Sequence, residues 1–201
     1  MLAGSRRILD PFGGTGKVFL LNQWLPQAQI QAVEIEPEWA KQHPRTIVGS
    51  ALALPFPTGY FDAICTSPTY GNHMADQSKG DAQDRHHKAK TNKYFALLGR
   101  KMHPDNSGQL HWNRGYQEFH QRAWQEVSRV LAPGGLFVLN IKNHIRQGQE
   151  MLVTEWHIET LCEMGYQVRK YKKLPVPSMK FGRNAEKRVP YESVIQFVKS
   201  A

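Results

Sequence analysis

Arg7-Ile8-Leu9-Asp10 is a short apolar run ending in acid, and Pro11-Phe12-Gly13-Gly14-Thr15-Gly16 follows it at once. A strand that breaks into a glycine-rich turn and then opens a helix, here expected from about Lys17 to Leu25, forms the first half of a nucleotide-binding unit. Three ligands compete for such a turn. A phosphate-cradling loop needs Gly five places before its last Gly and Ser or Thr after the Lys, and this chain has Pro11 and Val18 there. A dinucleotide fingerprint needs a third Gly where Phe19 stands. The third ligand has an amino-acid end and no phosphate. Asp10 suits its ammonium, directly or through water, and the glycines let the backbone come close.

The next apolar run, Gln31 to Glu36, ends in acid just before Pro37, which starts a helix running to about His43. Glu34 stands where a carboxylate takes both hydroxyls of a ribose. Thr46 to Ala51 reads as a third strand and turn, and such a turn suits contact with an adenine ring. Phe61-Asp62-Ala63-Ile64-Cys65 is a fourth buried run, and it breaks into Thr66-Ser67-Pro68-Thr69-Tyr70-Gly71-Asn72. Loops at the carboxyl ends of strands hold ligands in open α/β sheets. Ser67 brings a hydroxyl acceptor, Pro68 a rigid backbone with a free carbonyl, and Tyr70 a flat ring. Together they suit a planar base with an amino group: two acceptors for its hydrogens and a surface for stacking.

From about 72 to 112 the composition turns basic and polar around one apolar island, Tyr94 to Leu98, as expected of a functional insertion that orders on nucleic acid. Its histidines, His73, His86, His87, His103 and His111, lack metal-ligand spacing such as HExxH, so no metal is expected. Gly115 to Leu131 has the apolar period of an amphipathic helix and stops at Ala132-Pro133-Gly134-Gly135. Leu136 to Ile141 is the next strand, Glu150 to Met164 a helix, and Tyr166 to Leu174 and Glu192 to Lys199 the last two strands. Lys142 and Arg146 leave their strand on the side of Ser67. Lys180, Arg183 and Arg188 flank Phe181 in a basic loop at about 175–190, a pattern that suits a nucleic-acid edge.

A chain of 201 residues with 26 Lys and Arg against 17 Asp and Glu fits one domain, 1–201, with a polyanionic partner. Two cysteines exclude a disulfide framework, and with no apolar span or leader a cytoplasmic location is expected. Cys65 lies inside its strand as a core residue rather than as the nucleophile that methylation at cytosine C5 requires.

The ordered set Asp10 to Gly16, Glu34 to Pro37, Ser67-Pro68-Thr69-Tyr70 and Leu131 to Gly135 resembles the class I S-adenosylmethionine-dependent amino-methyltransferases of bacterial and phage DNA. It looks most like the branch with a Ser-Pro-Pro-Tyr signature, associated with N4-cytosine methylation, and the likeness spans nearly the whole chain. It implies a doubly wound, Rossmann-like, seven-stranded and mostly parallel sheet with an antiparallel last strand. It implies S-adenosyl-L-methionine as cofactor, held by Asp10, Phe12, Gly13, Gly14 and Gly16 on one side and by Glu34, Ile35, Ser50 and Ala51 on the other. Ser67, Pro68 and Tyr70 then take the flipped base of duplex DNA, and Lys142, Arg146, Lys180, Arg183 and Arg188 the nucleic-acid backbone. Adenine N6, RNA, a protein glutamine amide, or a non-catalytic nucleic-acid-binding role remain open. Two departures stand out. Thr69 replaces the second Pro, and about seven residues precede the first strand where the family has a longer segment around the cofactor, which implies a weaker hold on it.

Overall fold

The computed structural model describes residues 1–71, 98–176 and 188–200. Seven strands build the main sheet: β1 (Arg7–Asp10), β2 (Gln29–Glu34), β3 (Thr46–Val48), β4 (Phe61–Thr66), β5 (Leu131–Ile141), β8 (Tyr166–Pro175) and β9 (Tyr191–Lys199). Their order is β3-β2-β1-β4-β5-β9-β8. The first five are parallel, and β9 runs antiparallel between β5 and β8. The chain steps outward from β1 to β3, then crosses back to β4. The carboxyl ends of β1 and β4 therefore flank the point where strand order reverses, and a crevice opens there.

Strands buried on both faces read as continuous apolar runs. Ile8, Leu9, Ala63, Ile64, Phe137 and Leu139 are all fully enclosed. On one face, α2 (Arg114–Val130) and α3 (Val153–Glu163) pack on Leu9, Ile64, Phe137 and Phe197 through Tyr116, Trp124, Val127 and Leu161. On the other face, Val18 and Phe19 of a short helix cover Ile8, Ile30, Ala63 and Val138. A four-residue helix α1 (Pro37–Ala40) follows β2.

Several boundaries differ from the sequence expectation, each for a local reason. The helix expected over Lys17 to Leu25 is a 3-10 helix, Lys17–Gln23. The Asn22 side-chain amide donates to the carbonyls of Leu25 and Ala28, which turns the chain back toward β2 before an α-helix can extend. β2 stops at Glu34, because Glu36 is the N-cap of α1. The helix expected from Glu150 begins only at Val153. Gln147 and Gly148, both at positive φ (51° and 79°), instead make the two-residue turn of a hairpin, β6 (His144–Arg146) with β7 (Gln149–Met151). Ala132 to Gly135 stops α2 as expected but already lies within β5, where it makes a register break opposite Phe61 and Ala63. No helix among the described residues is long and apolar enough to cross a membrane.

Candidate active site

Asp10 ends β1 and is almost wholly buried. Its Oδ1 accepts the Thr66 hydroxyl from the end of β4 at 2.6 Å and the Phe12 N–H at 3.0 Å. Burial, with the Glu34 charge adding to it, pushes its pKa up to about 6 despite those two donors. Gly13 brings the turn against β2: its N–H bonds the Val33 carbonyl at 2.8 Å, and a Cβ there would stand 2.7 Å from that of Ala32. Only glycine permits that approach.

Glu34 ends β2 and ties turn and helix together. Its carboxylate accepts Gly14 N–H at 2.8 Å on one oxygen and Glu36 N–H at 2.9 Å on the other. Burial raises its pKa and those donors oppose the shift. Each oxygen keeps a second lone pair, so two further donors, such as a vicinal diol, can be accepted.

These groups line one cavity of about 420 Å³. Asp10, Phe12, Gly13 and Gly14 form one wall, Glu34, Ile35, Ser50 and Ala51 another, and Ser67, Pro68 and Tyr70 close the end. Every residue expected at the cofactor or the base is thus brought together except Gly16. That glycine lies off the cavity at φ +84°, packed beneath the Phe19–His43 stack, where it shapes the entry to the 3-10 helix. Phe12 also packs edge-on against Trp124 of α2, at 5.9 Å between centroids.

In the loop after β4, Ser67 is exposed and its hydroxyl lies 3.2 Å from that of Tyr70. Burial raises the Tyr70 pKa, so the ring stays a neutral phenol near pH 7. Thr69 donates its hydroxyl to Ser107 at 3.0 Å. Gly71, at φ +67°, accepts the Trp112 N–H at 2.7 Å and fixes the loop's far end. The Pro68 carbonyl has no hydrogen-bond partner among the described residues. Cys65 faces the opposite layer from α2, and burial pushes its thiol up to about 12, which denies it a nucleophile's role near neutrality.

Tyr70 also borders a second cavity, of about 510 Å³, where Lys142, His144, Arg146 and Arg188 meet Glu192. Three of the five cations expected at nucleic acid are therefore gathered beside the loop. Lys180 and Arg183 lie outside the described residues, as do His73, His86 and His87. No cluster of three metal-ligating side chains occurs among the described residues.

Sequence reasoning missed the part of the insertion that walls the first cavity. Met102, Asp105, Asn106, Ser107 and Gly108 line it, held down by Glu36, whose side chain is fully buried. Glu36 accepts Arg100 Nη2 at 2.8 Å, His103 N–H at 2.7 Å and Asn106 Nδ2 at 2.8 Å. The available signal was a second acid two places after Glu34, but its partners lie more than sixty residues onward.

No family model and no curated protein matches this sequence. Solved structures do. A SAM-dependent methyltransferase from Methanosarcina mazei aligns with 99% of this chain and 94% of its own, at TM-score 0.62 and 13% identity. A putative sarcosine dimethylglycine methyltransferase from Galdieria sulphuraria aligns over 97% and 78%, at 0.59 and 13%. TrmN from Thermus thermophilus aligns over 96% of this chain and 44% of its own, at 0.56 and 17%. With the strand order above, these likenesses establish that the chain has the class I methyltransferase fold.

Proposed function

We propose that this protein is an S-adenosylmethionine-dependent methyltransferase acting on the exocyclic amine of a nucleic-acid base, cytosine N4 in DNA. The observation that carries the reading is a single cavity lined by two buried carboxylates, Asp10 and Glu34, by the exposed Ser67 and by Pro68, whose carbonyl no described residue engages. The donor set fits that cofactor. A net cationic ligand with an ammonium and a diol matches two acids, and a Cβ built on Gly14 meets nothing within 4 Å among the described residues, so that wall leaves room. Asp10 would hold the ammonium and Glu34 the ribose hydroxyls, with Ile35, Ser50 and Ala51 along the adenine. When bound, the cofactor supplies an electrophilic methyl group on a sulfonium.

The protein's own part is positioning and electrostatics. An aromatic amine is a poor nucleophile because its lone pair is delocalised into the ring. Ser67 Oγ and the Pro68 carbonyl accept its two hydrogens and turn the lone pair out of conjugation, while Tyr70 supports the base. The amine nitrogen so held would face the methyl group that the bound cofactor supplies, would take it as the carbon–sulfur bond broke onto sulfur, and would then lose a proton to solvent. Extrusion of the base costs a few kcal/mol, which phosphate contacts at Lys142, Arg146 and Arg188 offset. Adenine N6 presents the same amino geometry to the same acceptors, so the base is decided by assay.

The test incubates the protein with methyl-labelled S-adenosylmethionine and unmethylated duplex DNA, then identifies the labelled nucleoside. N4-methylcytosine supports the full reading, N6-methyladenine reassigns the base, and label appearing only in RNA reassigns the polymer. Ser67→Ala should lower turnover by about 10²-fold with cofactor affinity nearly unchanged, and Glu34→Ala the reverse. Parallel loss of both in Ser67→Ala contradicts its role at the base.

A further inference from the structure

Four groups that the proposed chemistry does not touch run in one line behind the Ser67–Tyr70 loop. Trp124 Nε1 lies 3.0 Å from His157 Nδ1, His157 Nε2 lies 2.9 Å from the Tyr116 hydroxyl, and that hydroxyl lies 2.7 Å from the Thr69 carbonyl oxygen. Tyr116, Trp124 and His157 are fully buried, on α2 and α3. Their donor and acceptor roles follow from chemistry alone. An indole N–H can only donate, so His157 Nδ1 accepts and carries no proton. A neutral imidazole with Nδ1 bare is protonated at Nε2, so it donates to the phenol oxygen. The phenol proton is then left for the Thr69 carbonyl, which can only accept.

We propose that Trp124, His157 and Tyr116 are a one-directional hydrogen-bond relay that positions the Ser67–Tyr70 loop for methyl transfer by holding the Thr69 carbonyl. The proposal rests on the reading of that loop as the base-binding loop. The Thr69 carbonyl is held behind the loop by Tyr116 and the Gly71 carbonyl by Trp112, while the carbonyl of Pro68, a residue that lines the cavity, has no hydrogen-bond partner among the described residues. Burial and the nearby His120 hold the His157 pKa well below its ordinary value, and burial raises that of Tyr116, so the relay keeps its proton arrangement across the neutral range. Thr69 accounts for the departure from the Ser-Pro-Pro-Tyr signature. Its carbonyl is gripped by Tyr116 and its hydroxyl by Ser107, and these two bonds constrain the loop where the second proline is missing.

The test uses the full chain and three readouts. The 15N spectrum of the unmodified protein should show His157 as the neutral Nε2–H tautomer. Tyr116→Phe should lower kcat by about ten- to a hundredfold, with the Kd of S-adenosylmethionine changed less than about twofold. His157→Gln, which can accept from the indole and donate to the phenol, should retain most of the kcat that His157→Leu loses, and this pair decides the matter if Tyr116→Phe does not fold. An Nδ1–H tautomer, equal losses in the Gln and Leu variants, or parallel loss of kcat and cofactor affinity would overturn the relay. If the unmodified protein methylates no nucleic acid, the functional reading fails instead. The relay is then judged by the tautomer and by amide exchange at Trp112, whose N–H the Gly71 carbonyl at the end of the loop accepts and whose exchange Tyr116→Phe should accelerate by about tenfold or more; an unchanged rate rejects it.

Discussion

Asp10 is a carboxylate whose ionisation the protein makes expensive until a cation arrives. Its pKa of about 6 in the folded chain lies above the ordinary 3.8, so ionising it costs stability. That cost is fully present above about pH 6 and is relieved as pH falls toward the unfolded value. A ligand ammonium needs the ionised form. Below about pH 6 binding must expel a proton, and affinity should fall by up to about tenfold per pH unit. Calorimetric titration with S-adenosylmethionine near pH 5.5, in buffers of different ionisation enthalpy, should detect proton release from the unmodified protein and none from Asp10→Asn. Release of equal size in both would place the proton elsewhere. Asp10, Glu34 and Ser67 were legible in the sequence because each sits in a short local string whose meaning is chemical: strand end, acid, glycine, or Ser-Pro. Tyr116, His157 and Glu36 were not. Tyr116 reads as one more apolar position of an amphipathic helix, yet its partners are 47 and 41 residues away.

The elements were readable where burial on both faces imposes an unbroken apolar run, as in β1, β4 and β5. They were misread where one side chain overrides the period: Asn22 closing the turn after the 3-10 helix, or Asn143, whose Oδ1 accepts the Thr154 N–H at 2.7 Å and fixes the start of α3. β8 shows what period alone cannot say. It was foreseen as a strand, but nine of its ten residues are exposed because it forms the sheet's edge. Val168, Tyr171 and Leu174 stand open there, and such an edge invites pairing with another chain. Arg169, Lys170, Lys172 and Lys173 oppose it by charge, and the bulge between Val168 and Lys170 breaks the regular ladder. Lys170→Val combined with Lys172→Val should therefore raise concentration-dependent association above that of the unmodified protein, read by sedimentation velocity. Unchanged association would leave the bulge as sufficient protection.

For the whole molecule, the surplus of Lys and Arg is a net charge of +9, and the sheet decides where part of it acts. Lys142 follows β5, Arg146 closes β6 and Arg188 precedes β9, so two distant stretches of sequence meet at one cavity beside Tyr70. A base taken into the adjoining loop brings its phosphates to that rim. Each cation that neutralises a phosphate releases condensed counterions, so log affinity for duplex DNA should fall linearly with log salt, the slope counting the contacts. Lys142→Ala and Arg146→Ala should each make that slope shallower by about 0.9, and by about 0.7 if the acceptor is single-stranded. Fluorescence anisotropy with a labelled oligonucleotide over a salt series measures it. Lys41→Ala supplies the control: Lys41 caps α1 at the other end of the sheet, beyond β2, and the same change in charge there should leave the slope alone. If all three substitutions lower affinity equally and none alters the slope, the cations act through the protein's general field rather than by touching phosphate, and the second cavity loses its role as the path of the strand.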